Sequence, residues 1–491
     1  FRCFITIFIP FLDKQKKIIM TYKKILLLIT ASLFFLDTFS QTTWTKVDGG
    51  TEFSIALKSD STLWAWGNNG NGQLGINNTT TQLTPVQIGS DTDWKEFSAG
   101  AFHCLAIKSD GTLWAWGLNG NGQLGDESLT QKIIPTQIGS NTDWKSIDAG
   151  QAHTLAIKTD GTLWTWGLNI NGQLGLGNTS DQNAPVQIGT ATNWLTVSGG
   201  GGHSLAIRTD STLWAWGANG NGQVGNGTIV QETAPTQVGT NSDWIEISAG
   251  FEFSIGRRND NSIWTWGFNG NGQLGDGSLT QQNSPLQIGI GNEWGKIAAG
   301  SSYAFAIEID STLYGWGFNG AGQLGNGGTV QQNSIIQIGT STDWCDISGA
   351  EGTISGFVIG THSLGLKGTK NIICSSGSNY IGQLGDDTTN DTQTFTCNTG
   401  EISVGLQNVP IAFDPIQVYP NPSFGYFNIK LNDSEFHQYD LNIYSSIGQL
   451  VLSKKITTSD FSIDLQQNTK GIYYLKFENK QTVITKKILI Q

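Results

Sequence analysis

Apolar and polar positions along this chain alternate in runs of five or six residues, without the 3.6-residue apolar spacing of a helix. Residues 144–188 show the pattern. Trp144–Ala149 reads as a first strand and His153–Lys158 as a second, with Leu155 and Ile157 on one face and Ala156 on the other. Thr159-Asp160-Gly161 is a hairpin turn, since Asp-Gly accepts the positive backbone angles of a tight turn. Leu163-Trp164-Thr165-Trp166 is a third strand with both indoles on one face. A glycine-rich loop runs from Gly167 to Gly175, and Val186-Gln187-Ile188, after Pro185, is a fourth strand.

That unit recurs. Trp44, Trp94, Trp144, Trp194, Trp244, Trp294 and Trp344 stand 50 residues apart. Paired aromatics run from Trp64/Trp66 to Tyr314/Trp316, and the two sets together hold all 18 tryptophans. Gly-Gln-Leu-Gly, or its Val variant, begins at Gly72, Gly122, Gly172, Gly222, Gly272, Gly322 and Gly382. Four antiparallel strands at this period indicate propeller blades. The predicted fold class is all-β: a seven-bladed β-propeller followed by a small C-terminal β-sandwich. No Trp strand follows the last fourth strand, Thr392–Cys397, whereas the chain supplies an early one, Thr43-Trp44-Thr45-Lys46-Val47. The expectation is that this N-terminal strand completes the seventh blade and clasps the ring, removing exposed sheet edges.

Over residues 42–400 the recurring Ala-Gly-x-x-His, Asp-Gly-Thr-Leu-Trp and Trp-Gly-x-Asn-x-x-Gly-Gln-Leu-Gly resembles the repeats of the regulator of chromosome condensation family. The resemblance implies a seven-bladed propeller with loops on one face available to bind proteins. Its members range from nucleotide exchange factors to a secreted bacterial inhibitor of β-lactamases, so it implies no single activity.

The ends carry addresses. Met20 is the only methionine; Lys23 and Lys24 follow, then the apolar run 25–35 and the small residues Thr38 and Ser40. This is the form of a secretory signal peptide, residues 20–40, and the run is short of the ~20 apolar residues of a membrane span. Residues 1–19 are read as untranslated upstream sequence, 41–400 as the propeller and 401–416 as a linker. Residues 417–491 resemble the type A C-terminal sorting domain of the type IX secretion system. The landmarks are Val418-Tyr419-Pro420-Asn421-Pro422, Ile443-Tyr444, Gly448-Gln449-Leu450-Val451, Gly471-Ile472-Tyr473 and the ending Lys486-Lys487-Ile488-Leu489-Ile490. The resemblance implies handling by the type IX machinery of a Gram-negative bacterium, removal of the module, and release or surface attachment. By pattern alone the same stretch is a small sandwich, an architecture that a carbohydrate-binding module would share.

The seventh unit is irregular. Cys374 and Ser376 hold the paired-aromatic positions, and about nine extra residues separate Ser348 from His362. Aligned on the other units, Cys374 falls on strand three and Cys397 on strand four, and an exported chain meets conditions in which disulfides persist. A Cys374–Cys397 bond is therefore expected, worth about 3–4 kcal/mol for a loop of this length. Cys345 is a rival partner, and buried free thiols are the plain alternative.

Composition narrows the function. With 64 glycines, 18 tryptophans and 13% charged residues, the chain has many tight turns between aromatic strands and not the composition of disorder. Residues 42–400 hold 13 Lys and Arg against 29 Asp and Glu, and 401–491 hold 8 against 8. The acidic propeller repels polyphosphate, so no nucleic-acid partner is expected. His103, His153, His203 and His362 share a register that Phe53, Phe253 and Tyr303 fill elsewhere, which marks packing rather than a metal site. Asp60, Asp110, Asp160, Asp210, Asp260 and Asp310 sit at hairpins as turn formers. The Gly-x-Asn-x-x-Gly stretches lack the following helix that a dinucleotide fingerprint requires. No catalytic residue, cofactor or metal is expected.

Two sets of positions vary while the scaffold repeats: Glu52, Phe102, Ala152, Gly202, Glu252 and Ser302, and Asn68, Leu118, Leu168, Ala218, Phe268 and Phe318. Variable loop positions on a rigid frame are where recognition sits. Phe102, Leu118, Leu168, Phe268 and Phe318 are the candidate binding residues, read either as an exposed apolar arc or as packing between blades. The expected function is a secreted or surface-displayed, monomeric binder of a protein or glycan, without a membrane span. The alternative is a polysaccharide-degrading enzyme using Glu351 with Asp386 or Asp387. Mass spectrometry of secreted and outer-membrane fractions is expected to find a product that begins at Gln41 and lacks roughly residues 417–491; the intact chain in cytosol would refute the assignment.

Overall fold

The computed structural model describes residues 42–398 except 351–352, 355–356, 359–360 and 369–371. In the C-terminal region it describes 416–419, 423, 425–431, 439–445, 449–458, 460–478 and 483–490. The expected signal peptide, residues 401–415 of the expected linker and Glu351 lie outside the described residues. The chain divides into two compact units, 1–400 and 401–491. The described residues of both are strands, turns and loops.

The first unit holds seven four-stranded antiparallel sheets, each contiguous in sequence. Blade 1 comprises Trp44–Gly49, Phe53–Lys58, Leu63–Gly67 and Gln82–Gln87. Blade 7 comprises Trp344–Gly349, His362–Lys367, Ile372–Gly377 and Thr392–Asn398, with the inserted residues adding a two-stranded hairpin, Thr353–Ile354 with Phe357–Val358. First strands of successive blades lie against one another at the centre, and fourth strands form the rim. Second strands are buried on both faces because a blade covers each: Leu155, Ala156 and Ile157 are all fully inaccessible.

The N-terminal strand does not clasp blade 7. Trp44–Gly49 is hydrogen-bonded to Phe53–Lys58 within blade 1, and blade 7 supplies its own four strands. The hairpin at 50–52 completes blade 1 locally, so the ring closes by packing and not by strand exchange. A second difference concerns strand four, which begins at Gln82 or its equivalent and runs through Pro85 and its counterparts Pro135, Pro185, Pro235 and Pro285. Ile88 N–H points inward, donating to Leu63 O at 2.8 Å. By the two-residue alternation of a strand, position 85 faces outward, where a proline loses no ladder bond.

What joins blade to blade is a backbone carbonyl. In six of the seven Gly-Gln-Leu/Val-Gly loops the glutamine carbonyl accepts the indole N–H of the second paired tryptophan in the next blade, at 2.8–2.9 Å. The glycine two residues later leaves space for that indole: a Cβ on Gly125 would lie 2.6 Å from Trp166 Nε1. The last of these bonds, Trp66 Nε1 to Gln383 O, crosses the seam between blades 7 and 1.

Blade 7 divides the missing tryptophan's work. Phe395, on strand four, fills the space beside Gly325 that tryptophans fill beside the equivalent glycines, and its ring meets Trp344 at 4.9 Å. Ser376 Oγ donates instead to Gly322 O at 2.9 Å. Cys374 lies directly opposite Cys397, and the two are joined by a disulfide. Cys345 is free and exposed.

At the centre the first strands leave edge N–H groups that neighbours cover. Asp48 Oδ2 accepts Ala99 N–H at 2.9 Å, Asp148 Oδ2 accepts Gly199 N–H at 2.7 Å, and Ser98 Oγ accepts Ala149 N–H at 3.1 Å. Unpaired edge groups invite association, and these caps close the inner edge.

The second unit contains a three-stranded sheet, Ile416–Tyr419, Tyr426–Leu431 and Asp460–Asp464, and a four-stranded sheet ordered Leu450–Ile456, Tyr439–Ser445, Gly471–Glu478, Val483–Ile490. Alternating residues such as Leu441, Ile443, Leu475 and Phe477 from one sheet meet Phe427, Ile429 and Ile463 from the other in one core. In chemical denaturation, Phe395→Ala is expected to destabilise the propeller by about 3 kcal/mol through the lost ring, and Ser376→Ala by about 1 kcal/mol through one hydrogen bond. Equal, negligible effects would show that the two residues do not replace the tryptophan.

Candidate binding face

The 50–52 and 68–81 loops and their counterparts emerge at one end of the ring, because every blade runs its strands in the same order. The loops are bonded to the neighbouring blades: Thr51 N–H donates to Ala101 O in the next loop at 3.1 Å, Gly177 N–H to Thr233 O in the next fourth strand at 2.8 Å, and across the seam Asp387 N–H to Leu83 O at 3.1 Å. Each long loop is held internally by its asparagine and glutamine. Asn169 Oδ1 accepts Leu174 N–H at 3.0 Å, its Nδ2 donates to Ser180 O at 2.9 Å, and Gln173 Oε1 accepts Asn171 N–H at 2.9 Å. The Gly-x-Asn-x-x-Gly stretch is thus a self-bonded loop.

The two variable sets meet on this face. Leu118 N–H donates to Phe102 O at 2.8 Å, Phe268 N–H to Glu252 O at 2.9 Å and Phe318 N–H to Ser302 O at 2.9 Å. Yet Phe102, Leu118, Leu168, Phe268 and Phe318 are all half-buried, so an exposed arc does not form. The Phe268 and Phe318 rings fold onto their own loops, where a Cβ on Gly270 or Gly320 would lie 2.4 or 2.6 Å from the ring. The exposed apolar side chains stand elsewhere on these loops. Leu129, Ile170, Ile229, Val230, Leu279 and Val330 are 52–71% exposed. Comparing repeats at positions 70, 79 and 80 would have revealed them, since other blades place Gly, Thr, Ser or Asn there, apart from the exposed Tyr380 of blade 7.

Charge on this face is one-sided. Its described loops and the first residue of each fourth strand carry ten carboxylates, among them Glu127, Asp181, Asp387 and Asp391, against one lysine, Lys132. Lys132 is paired with Asp126 at 2.8 Å. Glu52 accepts from Asn68 Nδ2 at 2.6 Å and from Tyr380 OH across the seam. Burial pushes the Glu252 carboxyl above its ordinary range.

Expected turn and packing roles are visible in atoms. Asp160 Oδ1 accepts Thr162 N–H at 2.9 Å and Thr162 Oγ1–H at 2.7 Å, and these bonds hold its carboxyl below the usual carboxylate range. Of the enzyme alternative's residues, Asp386 is engaged by Asn379 Nδ2 at 2.9 Å and Thr388 N–H at 3.0 Å, and Asp387 adopts a left-handed turn conformation with φ of 63°. Among the described residues no group of three His, Cys, Asp or Glu is placed to hold a metal.

The histidines follow a pairing rule that strand patterns do not show. His153 Nε2 meets Ser204 Oγ of the next blade at 3.0 Å, His203 meets Ser254 at 2.9 Å, and His362 meets Ser54 across the seam at 2.9 Å. His103 meets Thr154 at 3.4 Å. Each hydroxyl donates to the glutamine carbonyl of the histidine's own blade, as Ser204 does to Gln173 O at 2.8 Å, so Nε2 carries the proton and the ring is neutral. Where the register holds phenylalanine the partner is apolar: Phe53 shares a cluster with Cys104, and Phe253 with Ala304.

The family model for the RCC1-like domain matches residues 33–294, more than half of the chain. The chain belongs to the RCC1-like domain family. Blades 6 and 7 lie beyond that match and repeat the same sheet. A second model, the secretion system C-terminal sorting domain, matches residues 417–491. The RCC1-like propeller with its sorting tail is therefore a secreted or cell-surface protein, handled by the type IX machinery. Human WBSCR16 is similar at 19% identity, covering 69% of this chain and 94% of its own, with a TM-score of 0.61. Yeast RCC1 (Prp20) bound to Kap60 gives 17%, 74%, 87% and 0.61. Prp20p from Saccharomyces cerevisiae, described with its binding to Gsp1p and histones, gives 19%, 73%, 88% and 0.60. At these identities the likeness shows the fold. No curated protein sequence matches.

Burial lowers the pKa of His103, His203 and His362 to about 3 and of His153 to about 4. A depressed folded pKa gives stability that is present above the unfolded value near 6.5 and lost as pH falls, at about 1.4 kcal/mol per pH unit for each such histidine. Burial instead raises Asp148 to about 7, so its contribution runs the other way and fades as pH rises from 4 to 7. Burial raises Asp48 and Glu252 in the same sense as Asp148, and the four histidines outweigh these three carboxyls. The urea midpoint is expected to fall steeply between pH 6.5 and 4, and His153→Phe with Ser204→Ala to lessen that slope while costing less at pH 7 than His153→Phe alone. A pH-independent midpoint would contradict the neutral, buried assignment.

Proposed function

We propose that this RCC1-like propeller is a binding protein, not an enzyme, and that its acidic loop face takes a basic protein surface bearing apolar side chains. The observation that carries the reading is the mixture on one face: exposed aliphatics at Leu129, Ile229, Val230 and Val330 among ten carboxylates and a single lysine. Aliphatic patches set in a polar rim mark protein contact sites, and an acidic field accelerates encounter with a basic partner and discriminates against acidic ones. A glycan would be served better by several exposed aromatic platforms, and of this face's aromatics Tyr380 is exposed whereas Phe102, Phe268 and Phe318 are half-sunk. The histidines and turn aspartates that an enzyme would draw on are engaged in packing and turns. The sorting tail supports display outside a Gram-negative cell.

Pull-down of secreted and surface proteins with the full chain, read by mass spectrometry beside a glycan array, tests the proposal. Binding is expected to weaken with salt, and Glu127→Lys, Val330→Asp and Asp387→Lys together are expected to weaken it roughly tenfold or more. Array hits without a protein partner, or a protein bound equally by the triple variant, would overturn it.

A further inference from the structure

At the end of the ring opposite the loop face, six blades seat a cation of their own on aromatic rings. The last residue of each second strand pairs with the first tryptophan, and in blades 1–5 it is Lys58, Lys108, Lys158, Arg208 or Arg258. Each charged group lies 3.7–4.9 Å from the centres of two indoles, that tryptophan and the first of the paired set. A ring face attracts a cation within about 6 Å. Lys367 of blade 7 keeps the place, 5.4 Å from Trp344. In four blades the residue before the tryptophan completes the seat: Asp93, Asp143, Asp243 and Asp343 stand 3.1–3.7 Å from the cation.

Blade 6 keeps the rings and the acid but not the cation. Trp294 and Tyr314 meet edge to face at 5.2 Å, Glu293 precedes the tryptophan, and the paired residue is Glu308. Glu308 Oε1 accepts Asn292 Nδ2 at 2.6 Å, and the carboxylate also bonds the Tyr314 hydroxyl, with lone pairs to spare. Trp294 is fully covered and backs the site, so half-buried Tyr314 is the ring within reach. Two exposed isoleucines flank these groups. Ile309 is 61% exposed where blades 1–5 have Ser, Thr or Asn, and its N–H donates to Glu293 O at 3.0 Å. Ile290, two residues before Asn292, is 80% exposed where the equivalent joints between other blades have Ser or Thr. Arg257, which bonds the Trp294 carbonyl, is already engaged by Glu246 and Asn261.

We infer that this corner of blade 6 takes the cation of another molecule, an arginine or lysine side chain of a partner protein, where the other blades use their own. The repeats themselves define the ligand: the equivalent seat accepts an ammonium or a guanidinium on a flexible arm, and blade 6 presents carboxylates at 293, 308 and 310 in its place. Among the described residues these acids are not grouped to hold a metal ion, which favours an organic cation. Ile290 and Ile309 fit the apolar stem that carries such a charge and the neighbouring side chains of the same segment. The site lies away from the loop face and does not rest on the reading of that face.

The test is titration of the full chain, labelled at its tyrosine rings for NMR, with the capped tripeptide Leu-Arg-Leu, the same peptide with neutral citrulline, and free butylguanidinium. The arginine peptide is expected to shift the Tyr314 signal, assigned through Tyr314→Phe, and to bind roughly tenfold or more tighter than the citrulline peptide. Glu308→Lys is expected to fold, since six blades carry Lys or Arg there, and to abolish binding by filling the seat from within. Ile309→Ser is expected to weaken binding severalfold, and the Glu127→Lys, Val330→Asp and Asp387→Lys variant of the loop face to leave it unchanged. No shift at millimolar peptide, equal binding of the citrulline peptide, or binding that survives Glu308→Lys would overturn the inference. Butylguanidinium bound as tightly as the arginine peptide would overturn the protein partner and assign the seat to a small free cation. Binding lost in the loop-face variant would overturn it by placing the contact at the other end of the ring.

Discussion

The ring depends on one acceptor. The carbonyl of a loop glutamine has two lone pairs, and at Gln123, Gln173, Gln223 and Gln383 the next blade brings two donors: an indole N–H and, on the neighbouring strand, a hydroxyl. At Gln173 these are Trp216 and Ser204, at 2.8 Å each. A buried carbonyl left without partners costs about as much as a lost hydrogen bond, so the loop must hold its position and the next blade must approach in one register. The loop's internal amide bonds, the glycine that leaves space for the indole, and the histidine that completes the hydroxyl all serve this contact. Blade identity follows from it: a blade with a hydroxyl suits a histidine-bearing predecessor, and one with alanine or cysteine suits phenylalanine.

Much of this was legible in the sequence. A 50-residue period with fixed tryptophans sets blade number, strand order and hairpins, because period-two alternation and Asp-Gly turns are local properties. Cys374 and Cys397 were placed on neighbouring strands by counting from other units, and the register that sets them directly opposite came from the structure. The closure was misread because the N-terminal tryptophan strand was counted as unmatched, whereas the hairpin at 50–52 pairs it at once with Phe53–Lys58. Phe395 escaped notice because its role lies across an interface, beside Gly325 of the preceding blade.

The candidate face was only half readable. Variation between repeats located its end of the ring, yet exposure is not a property of residue type. Phe268 and Phe318 sank onto glycines two positions along, and Leu129 and Val330 rose because their loop turns outward over the buried Asn119 and Asn319. The pairing of His153 with Ser204 spans 51 residues, which no local periodicity encodes.

Because each blade is complete in its own segment, only the last seam joins distant parts of the chain, as in Ser54 with His362, 308 residues apart. Every other joint can form as soon as two successive blades exist. Before the seam shuts, the free faces of blades 1 and 7 are complementary, and that complement exists equally on any neighbouring molecule. A contact of this head-to-tail sort does not terminate itself. The same glutamine carbonyl that seals one ring would, between crowded open chains, link them into a growing filament, and dilution during folding favours the closed circle.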